Sequence, residues 1–192
     1  MFGRISKPFW DDKPVAIIGG GPSLADFDLE KLRGAHVLAI NSAILDIPWA
    51  DAGFGVGVWP DKLANVQGRV YWAVPEDQAI EPPPPARNIT LLKQRPGLQV
   101  SDDPSAVYGS TSEFAAMQIC IHKRARQIVL FGFDFEGEHW AKRANHFSAL
   151  VPYLTEHRIG VVNASAKSTI TCFQKVALQD AVAILKEGAA AS

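Results

Sequence analysis

The most constraining feature of the sequence is an apolar run that passes directly into a glycine-rich turn, Val15–Leu24, with the sequence VAIIGGGPSL. A strand followed by glycines and a serine is typical of the first strand-to-helix connection in a parallel α/β sheet. Glycines permit positive φ and a close backbone approach, and a serine at a helix start can direct the helix N-terminus at an anion. We therefore predict a phosphate-binding turn formed by Gly19, Gly20, Gly21 and Ser23.

The same turn has a second interpretation, in which the glycines are needed only for a tight connection between strand and helix. It is not a P-loop, because no Gly-Lys-Ser/Thr follows. It also departs from the dinucleotide-binding fingerprint, because Leu24 stands where the third glycine would be. The turn alone therefore favours neither a kinase nor a dehydrogenase.

Short apolar runs alternate with helix-like stretches along the chain, which is the pattern of βαβ units. The predicted strands are Val15–Ile18, His36–Ile40, Gly53–Trp59, Arg69–Val74, Gln127–Phe133 and Ile159–Val162. Apolar residues at helical spacing predict helices over Ser112–Lys123 and Val176–Leu185. We expect an α/β protein with a single Rossmann-like, doubly wound, mostly parallel sheet and helices on both faces.

Length and composition limit the remaining possibilities. With 192 residues the chain suits one domain, which we place at residues 14–187, with an N-terminal extension (1–13), a frayed tail (188–192) and a proline-rich connector at Glu81–Pro85. A formal net charge of -1 gives no argument for nucleic-acid binding. Cys120 and Cys172 lack metal-ligand spacing and are expected as reduced thiols. No signal peptide or membrane span is evident, so a cytoplasmic location is expected.

Polar residues follow several predicted strands, and the carboxyl ends of parallel strands meet at one sheet edge, where ligands bind. Asn41 ends the second strand and is expected to contact a base or sugar, although an Asx turn is an alternative. Ser112 opens the central helix within a run of hydroxyl residues that could cap the helix or hold a ligand. Asn163 and Ser168 follow the last strand, where a helix cap is the alternative to ligand binding.

The segment from Asp134 to His146 is the predicted catalytic region, interpreted as a polar loop after a buried strand. A histidine titrates near neutrality and can act as a general base, so His139 and His146 are catalytic candidates together with Asp134. Basic side chains can stabilise a leaving phosphate, and Lys142 and Arg143 are the candidates for that role. The spacing of the acid and the histidines matches no established metal motif, so no metal site is predicted.

Five segments, in this order, resemble a superfamily that includes bacterial sialyltransferases using CMP-sialic acid, archaeal 6-hydroxymethylpterin diphosphokinases and many phage-encoded proteins. They are GGGPSL at Gly19–Leu24, IN at Ile40–Asn41, STS before the central helix, the IVLFGFDF strand and the NASAKS turn. The similarity is greatest to the phage group, which shares a segment like Trp49–Asp51 and a His-Trp followed by a second histidine.

The resemblance to the sialyltransferases implies a role for several residues. Gly19, Gly21 and Ser23 would contact the nucleotide, Asn41 the cytidine ribose or base, and Ser112 the phosphate, while His146 would take a proton from the acceptor hydroxyl. The chain also departs from this family. Gly20 stands where relatives usually carry asparagine, Glu113 replaces the glycine after the matching serine, and the segment from Asp134 to His146 contains no tyrosine to hold the leaving phosphate.

The leading hypothesis is a metal-independent, glycosyltransferase-like enzyme with a CMP-type nucleotide sugar as donor, a small-molecule or glycan acceptor and His146 as base. The first alternative is a diphosphokinase-like phosphotransferase that binds ATP and magnesium through Asp134 and Glu136 or Glu138. The second is a nucleotide-binding module without turnover. The sequence leaves the acceptor, the base and the formation of a homo-oligomer open.

Overall fold

A computed structural model describes residues 9–57, 67–78, 89–109 and 111–190. Within these residues, nine parallel strands form one sheet in the order β6-β5-β4-β3-β2-β1-β7-β8-β9. The strands are β1 (Pro14–Ile18), β2 (His36–Ile40), β3 (Ala52–Val56), β4 (Arg69–Pro75), β5 (Ile89–Arg95), β6 (Ala106–Tyr108), β7 (Gln127–Phe131), β8 (Gly160–Asn163) and β9 (Gln174–Lys175). The α-helices are α1 (Ala43–Asp46), α2 (Ser112–His122), α3 (Glu138–Ala144), α4 (Val151–Glu156) and α5 (Leu178–Ala190). The predicted α/β class with a parallel sheet is confirmed.

Both faces of the sheet are covered, which explains why its central strands read as continuous apolar runs. Every residue of β1 is buried, and its side chains alternate between two hydrophobic clusters. One cluster contains Val15 and Ile17 together with α2 and α4; the other contains Ala16 and Ile18 together with α1 and α5. The doubly wound arrangement follows from this two-sided core.

The strand predictions hold in the centre of the sheet and fail at its edges. Strands β5, β6 and β9 were not predicted. β5 carries Lys93 and Arg95 and is only partly buried over most of its length, and β6 and β9 are three and two residues long. These strands form because neighbouring strands pair with them. Short or partly exposed strands have little apolar periodicity of their own, so the sequence does not reveal them. β7 ends at Phe131, two residues before its predicted end, since Gly132 adopts φ +68°.

Two local expectations need correction. The predicted polar loop between Asp134 and His146 contains the helix α3, which begins after Gly137 (φ +86°). The last helix continues to Ala190, so the tail boundary expected at residue 187 lies inside a helix. Gly188 contacts Pro14, and any larger residue would clash with that ring. The proline-rich connector lies outside the described residues.

The end of the expected N-terminal extension packs against the amino-terminal edge of the sheet. Trp10 is fully buried, and its Nε1–H donates to Asp51 Oδ2 at 3.2 Å. The backbone N–H groups of Phe9 and Trp10 donate to the carbonyl of Lys123, just after α2. None of the described helices is long and apolar enough to cross a bilayer.

The order of the strands determines where a ligand can enter. β1 lies between β2 and β7, and the chain runs outward from β2 to β6 before α2 returns it to the other side of β1. At such a topological switch point the connections leave the sheet in opposite directions, and a crevice opens at the carboxyl ends of the two strands. The predicted glycine turn follows β1 directly.

Candidate functional site

A cleft of about 360 Å³ opens at this switch point. Its walls come from the turns after β1, β2 and β7, from the first turn of α2 and from α3. The lining residues are Gly20, Gly21, Pro22, Asn41, Ser42, Glu113, Gly132, Asp134, Phe135, Glu136 and Trp140. Several segments that are distant in the sequence but rich in predicted site residues therefore meet at one cleft.

The glycine turn continues the pairing of β1 with β7 beyond the ends of both strands. Gly19 N–H donates to Phe131 O at 2.8 Å, and Gly21 N–H donates to Gly132 O at 3.0 Å. A Cβ on Gly19 would lie 2.8 Å from Gly132 O, and one on Gly21 would lie 2.5 Å from the same oxygen. For these two glycines the structure supports the geometric interpretation. Gly20 is exposed and lines the cleft.

The prediction that Ser23 caps a helix aimed at a bound anion is wrong. Ser23 lies inside a single 3-10 turn, Pro22–Leu24, whose N-cap residue is Gly21. Its N–H donates to Asp134 Oδ2 at 2.8 Å, and its hydroxyl is 3.1 Å from the Ser165 hydroxyl. The protein's own carboxylate therefore occupies the position at which the turn would hold an anion.

Asp134 is 2% exposed and connects β7 to the glycine turn. Its backbone carbonyl accepts a hydrogen bond from Thr169 N–H, which ties the residue to the turn after β8. Its Oδ1 is buried and has no hydrogen-bond partner among the described residues. Because buried polar atoms are rarely left unpaired, this oxygen is the strongest indication of a ligand group in the cleft.

Asn41 lines the cleft from the end of β2 and has a left-handed backbone, φ +53°. Asparagine tolerates this conformation better than most residues, so the backbone geometry alone can explain why asparagine stands here. Its N–H continues the sheet by donating to Phe54 O at 3.1 Å. The side chain is half-buried at the cleft.

The sequence predicted only that one of several neighbouring hydroxyl residues caps the helix α2. Thr111 is the N-cap, and its Oγ1 accepts from Phe114 N–H at 3.2 Å. Ser112 is the first helical residue and is half-buried, while Ser110 lies outside the described residues. Glu113 lines the cleft, and burial raises the pKa of its carboxyl, against the opposing effects of its own N–H, of Thr111 and of Arg143.

The helix α3 places an aromatic ring at the mouth of the cleft. Trp140 is 44% exposed, stands edge-on to Phe135 at 5.9 Å and has the Arg143 guanidinium 5.3 Å from its ring centre. Lys142 pairs with Glu138 at 2.9 Å on the exposed side of the helix. His139 is exposed, packs edge-on against Trp140 and is not among the residues that line the cleft.

His146 is half-buried and lines a different cleft of about 760 Å³, over the ends of β4, β5 and β6. The lining also includes Glu76, Asp77, Gln94, Arg95 and Leu98. Glu76 pairs with Lys93 and Arg95, and their hydrogen bonds lower its pKa to about 2. Neither of the two predicted catalytic histidines therefore lines the cleft at the switch point.

Asn163 and Ser168 are buried, at 0% and 3% exposure, and do not line the cleft. Asn163 donates from Nδ2 to Ser168 Oγ and accepts from Ser165 N–H through Oδ1, both at 2.9 Å. Ser168 Oγ donates to Phe133 O and accepts from Ile170 N–H. The predicted ligand-binding turn is therefore an internal network that holds the segment leading to Asp134.

Among the polar and aromatic residues that line the cleft, Glu113 and Trp140 were not predicted as site residues, and Glu136 was considered only as a magnesium ligand of the phosphotransferase alternative. Glu113 was noted only as a departure from a family pattern, although an acid one residue into a helix after a β-strand is a detectable signal. Among the described residues, no group of three or more histidine, cysteine, aspartate or glutamate side chains is arranged to hold a metal ion. Both cysteines are free, with Cys120 buried and Cys172 half-buried.

Comparison with known proteins finds similarity at the level of the fold. No family model and no curated protein matches the chain. Among solved structures, it is similar to the sialyltransferase CstII from Campylobacter jejuni in complex with the substrate analogue CMP-3FNeuAc, with a TM-score of 0.51 and 16% identity over 86% of this chain and 85% of that one. A second structure of CstII, with cytidine-5'-monophosphate, has a TM-score of 0.49 and 15% identity over 87% and 86%. The fold thus resembles that of a bacterial sialyltransferase.

Proposed function

We propose that this protein is a metal-independent, glycosyltransferase-like enzyme that binds a CMP-type nucleotide sugar in the cleft at the β1–β7 switch point. The observation that carries the proposal is the cleft itself, which combines a glycine backbone at Gly20, an amide at Asn41 and an exposed ring at Trp140. An exposed ring beside amide and carboxylate groups suits a nucleobase, which stacks on aromatic faces and hydrogen-bonds through its edge. The fold similarity to a sialyltransferase supports the choice of a cytidine nucleotide.

The cations of α3 are proposed to contact the phosphate. Arg143 is only partly exposed and lies against Trp140, so a nucleotide stacked on that ring would bring its phosphate within reach of the guanidinium. Lys142 is exposed and paired with a flexible surface acid, so it is available to a second phosphate oxygen after exchanging its partner. Ser112, the first residue of α2, is half-buried and does not line the cleft, and we propose it as a further phosphate contact at the rim.

His146 is proposed as the base that accepts the proton of an acceptor hydroxyl. It lines the larger cleft over β4 to β6, and the short segment Asn145–Leu150 that carries it follows α3 directly. The cleft at the switch point would then bind the donor, while the larger cleft would bind the acceptor. His139 is exposed and lines neither of the two clefts, so we propose no catalytic role for it.

Calorimetric titration of CMP into the protein tests the donor site. We expect saturable binding with the same affinity in the presence and absence of magnesium. Trp140→Ala should weaken binding on the order of tenfold or more, because it removes a stacking partner. Leu45→Ala is the matched control, since Leu45 is also a large exposed apolar side chain but does not line the cleft. Absence of CMP binding, or equal binding by the Trp140 variant, would contradict the donor site.

Transfer assays test the base. We expect His146→Ala to lower the rate of nucleotide release from a CMP-linked sugar by about 100-fold while CMP affinity is unchanged. His157→Ala, which alters an exposed histidine at the end of α4, is the control. If the rate is unchanged in the His146 variant, then either another base acts or the protein only binds its nucleotide.

One observation favours the phosphotransferase alternative. Asp134 and Glu136, which were considered as magnesium ligands, both line the cleft. In that case ATP should bind only with magnesium, and CMP should not compete with it. The same titrations with ATP, with and without magnesium, separate the two functions.

A further inference from the structure

The donor cleft is acidic, which is unusual for a site that would bind a doubly charged nucleotide sugar. Glu113, Asp134 and Glu136 all line it. The basic side chains of α3 lie outside the lining: Arg143 stacks on Trp140, and Lys142 pairs with Glu138. Carboxyl groups thus outnumber basic groups in the lining, and any anionic part of a ligand is best placed at the α3 rim of the cleft.

The two positions that would otherwise attract an anion are already occupied by carboxylates of the chain. In the glycine turn, Asp134 Oδ2 accepts the Ser23 N–H. At the N-terminus of α2, where free N–H groups and the helix dipole favour an anion, Glu113 is the second helical residue. Burial raises the pKa of this carboxyl, while its own N–H and Thr111 act in the opposite direction, so both groups lie close to it. A ligand carboxylate or phosphate that bound at either of these two positions would have to displace the carboxylate already there.

The unpaired oxygen of Asp134 indicates what the cleft accepts instead. Oδ1 is buried within a residue that is 2% exposed, and it lacks a hydrogen-bond donor among the described residues. An ionised carboxylate accepts hydrogen bonds and cannot donate them, so a complementary ligand group must be a donor. Hydroxyl and amino groups fit this requirement, whereas a carboxylate does not.

On this basis, and resting on the proposed function, we propose that the sugar carried by the donor is neutral or amino-bearing, and that the Glu113–Asp134 side of the cleft rejects acidic sugars. The chemical class of donor is thus a nucleotide-linked neutral or amino sugar. An acidic sugar would be repelled by the carboxylates of the cleft and would leave Asp134 Oδ1 without a donor. Repulsion and unpaired polar groups both discriminate strongly between otherwise similar ligands.

A matched pair of probes tests the inference: CMP-sialic acid and its C1 methyl ester, which differ by one negative charge. We expect the wild-type protein to bind the ester about tenfold more tightly than the acid, and Glu113→Gln to reduce that ratio towards one. Glu156→Gln, at the exposed end of α4, should leave the ratio unchanged. Titration of CMP alone into each variant measures the affinity of the nucleotide site without the sugar.

The outcomes separate the two proposals. If CMP binds the wild-type protein but the acid and the ester bind equally, or the acid binds more tightly, the inference about the sugar is wrong while the nucleotide site stands. If CMP does not bind, both are wrong. Melting curves establish that each variant is folded, and should Glu113→Gln fail to fold, the comparison of acid with ester on the wild-type protein decides alone.

Discussion

At the scale of single residues, the cleft depends on carboxylates that serve both the fold and the site. Asp134 has one oxygen bonded to Ser23 and one without a partner among the described residues. The bond to Ser23 fixes the position of the carboxylate, and the second oxygen can still accept a hydrogen bond from a ligand. Such partly satisfied buried groups commonly mark functional positions, because a purely structural role would select full pairing.

Removal of the Asp134 carboxylate should destabilise the protein. Asp134→Ala leaves the half-buried Ser23 N–H without its acceptor, and the expected loss is about 1–3 kcal/mol in the free energy of unfolding. Urea denaturation measures it. Asp26→Ala, at an exposed position just after the same turn, is the control and should change stability by less than about 0.5 kcal/mol. Equal stabilities would show that the glycine turn does not need the carboxylate.

Glu113 should make the stability of the protein depend on pH in a specific direction. Because burial raises its pKa in the folded state above the ordinary value of 4.5, the folded protein holds the proton more tightly than the unfolded chain. Stability is then lost as the pH rises through that range. Glu113→Gln should melt at a higher temperature than wild type at pH 7, and the difference should shrink as the pH falls towards about 4.5 and be lost below it.

The opposite result for Glu113 would also be informative. A lower melting temperature of the variant at pH 7 would mean that the N-terminus of α2 stabilises the charge by more than burial destabilises it. Melting curves between pH 4 and pH 8 distinguish the two cases. Asp28→Asn, at the exposed N-cap of the turn Leu29–Leu32, controls for a general effect of removing a carboxylate.

At the scale of elements, the central helix α2 connects the two halves of the sheet and presents its first turn to the cleft. Eight of its residues, Phe114 to Ile121, are buried. A helix buried on so many sides cannot obtain its capping interactions from water, so its N-terminus requires a protein partner. Thr111 provides that partner and leaves Ser112 available for another role.

The division of roles between Thr111 and Ser112 can be tested by paired substitutions. Thr111→Ala removes the side-chain cap and should cost about 1 kcal/mol of unfolding free energy, with little change in CMP affinity. Ser112→Ala should show the reverse pattern, with near-normal stability and weaker CMP binding. Urea denaturation and calorimetric titration measure the two quantities. If the Ser112 variant binds CMP normally, then Ser112 is not a phosphate contact.

At the scale of the whole molecule, the two edges of the sheet have different tasks. The carboxyl edge carries the clefts. The amino edge is closed by residues 9–13, where Trp10 is fully buried and bonded to Asp51, which also contacts His36 at 2.9 Å. This closure joins residues 9–13 to β2 and to the end of α2, so it contributes to the stability of the entire domain.

Two tryptophans provide a matched test of this division. Trp10→Ala should lower the free energy of unfolding by about 3–5 kcal/mol, because it removes a large, fully buried ring. Trp140→Ala should change stability by less than about 1 kcal/mol, since its ring is substantially exposed. Urea denaturation compares them. A small effect at Trp10 would mean that the N-terminal segment packs on the sheet without stabilising it.

Much of the central fold could be predicted from the sequence because the signals are local. Apolar runs of strand length identified β1, β2, β4, β7 and β8, and helical periodicity identified α2 and α5. The turn after β1 was located by its glycines. The edge strands and α3 escaped prediction, since short or polar segments derive their structure from neighbours that the local pattern does not reveal.

That polar residues collect at the carboxyl edge of a parallel sheet could be predicted without a structure, since it follows from strand direction alone. Which of these residues line the cleft depends on how the whole chain folds. Asp134 reaches Ser23 across 111 residues, Asn163 and Ser168 turn inward to bond each other, and Glu113 enters the cleft. Burial and partner choice depend on segments that are distant along the chain, and no local pattern contains that information.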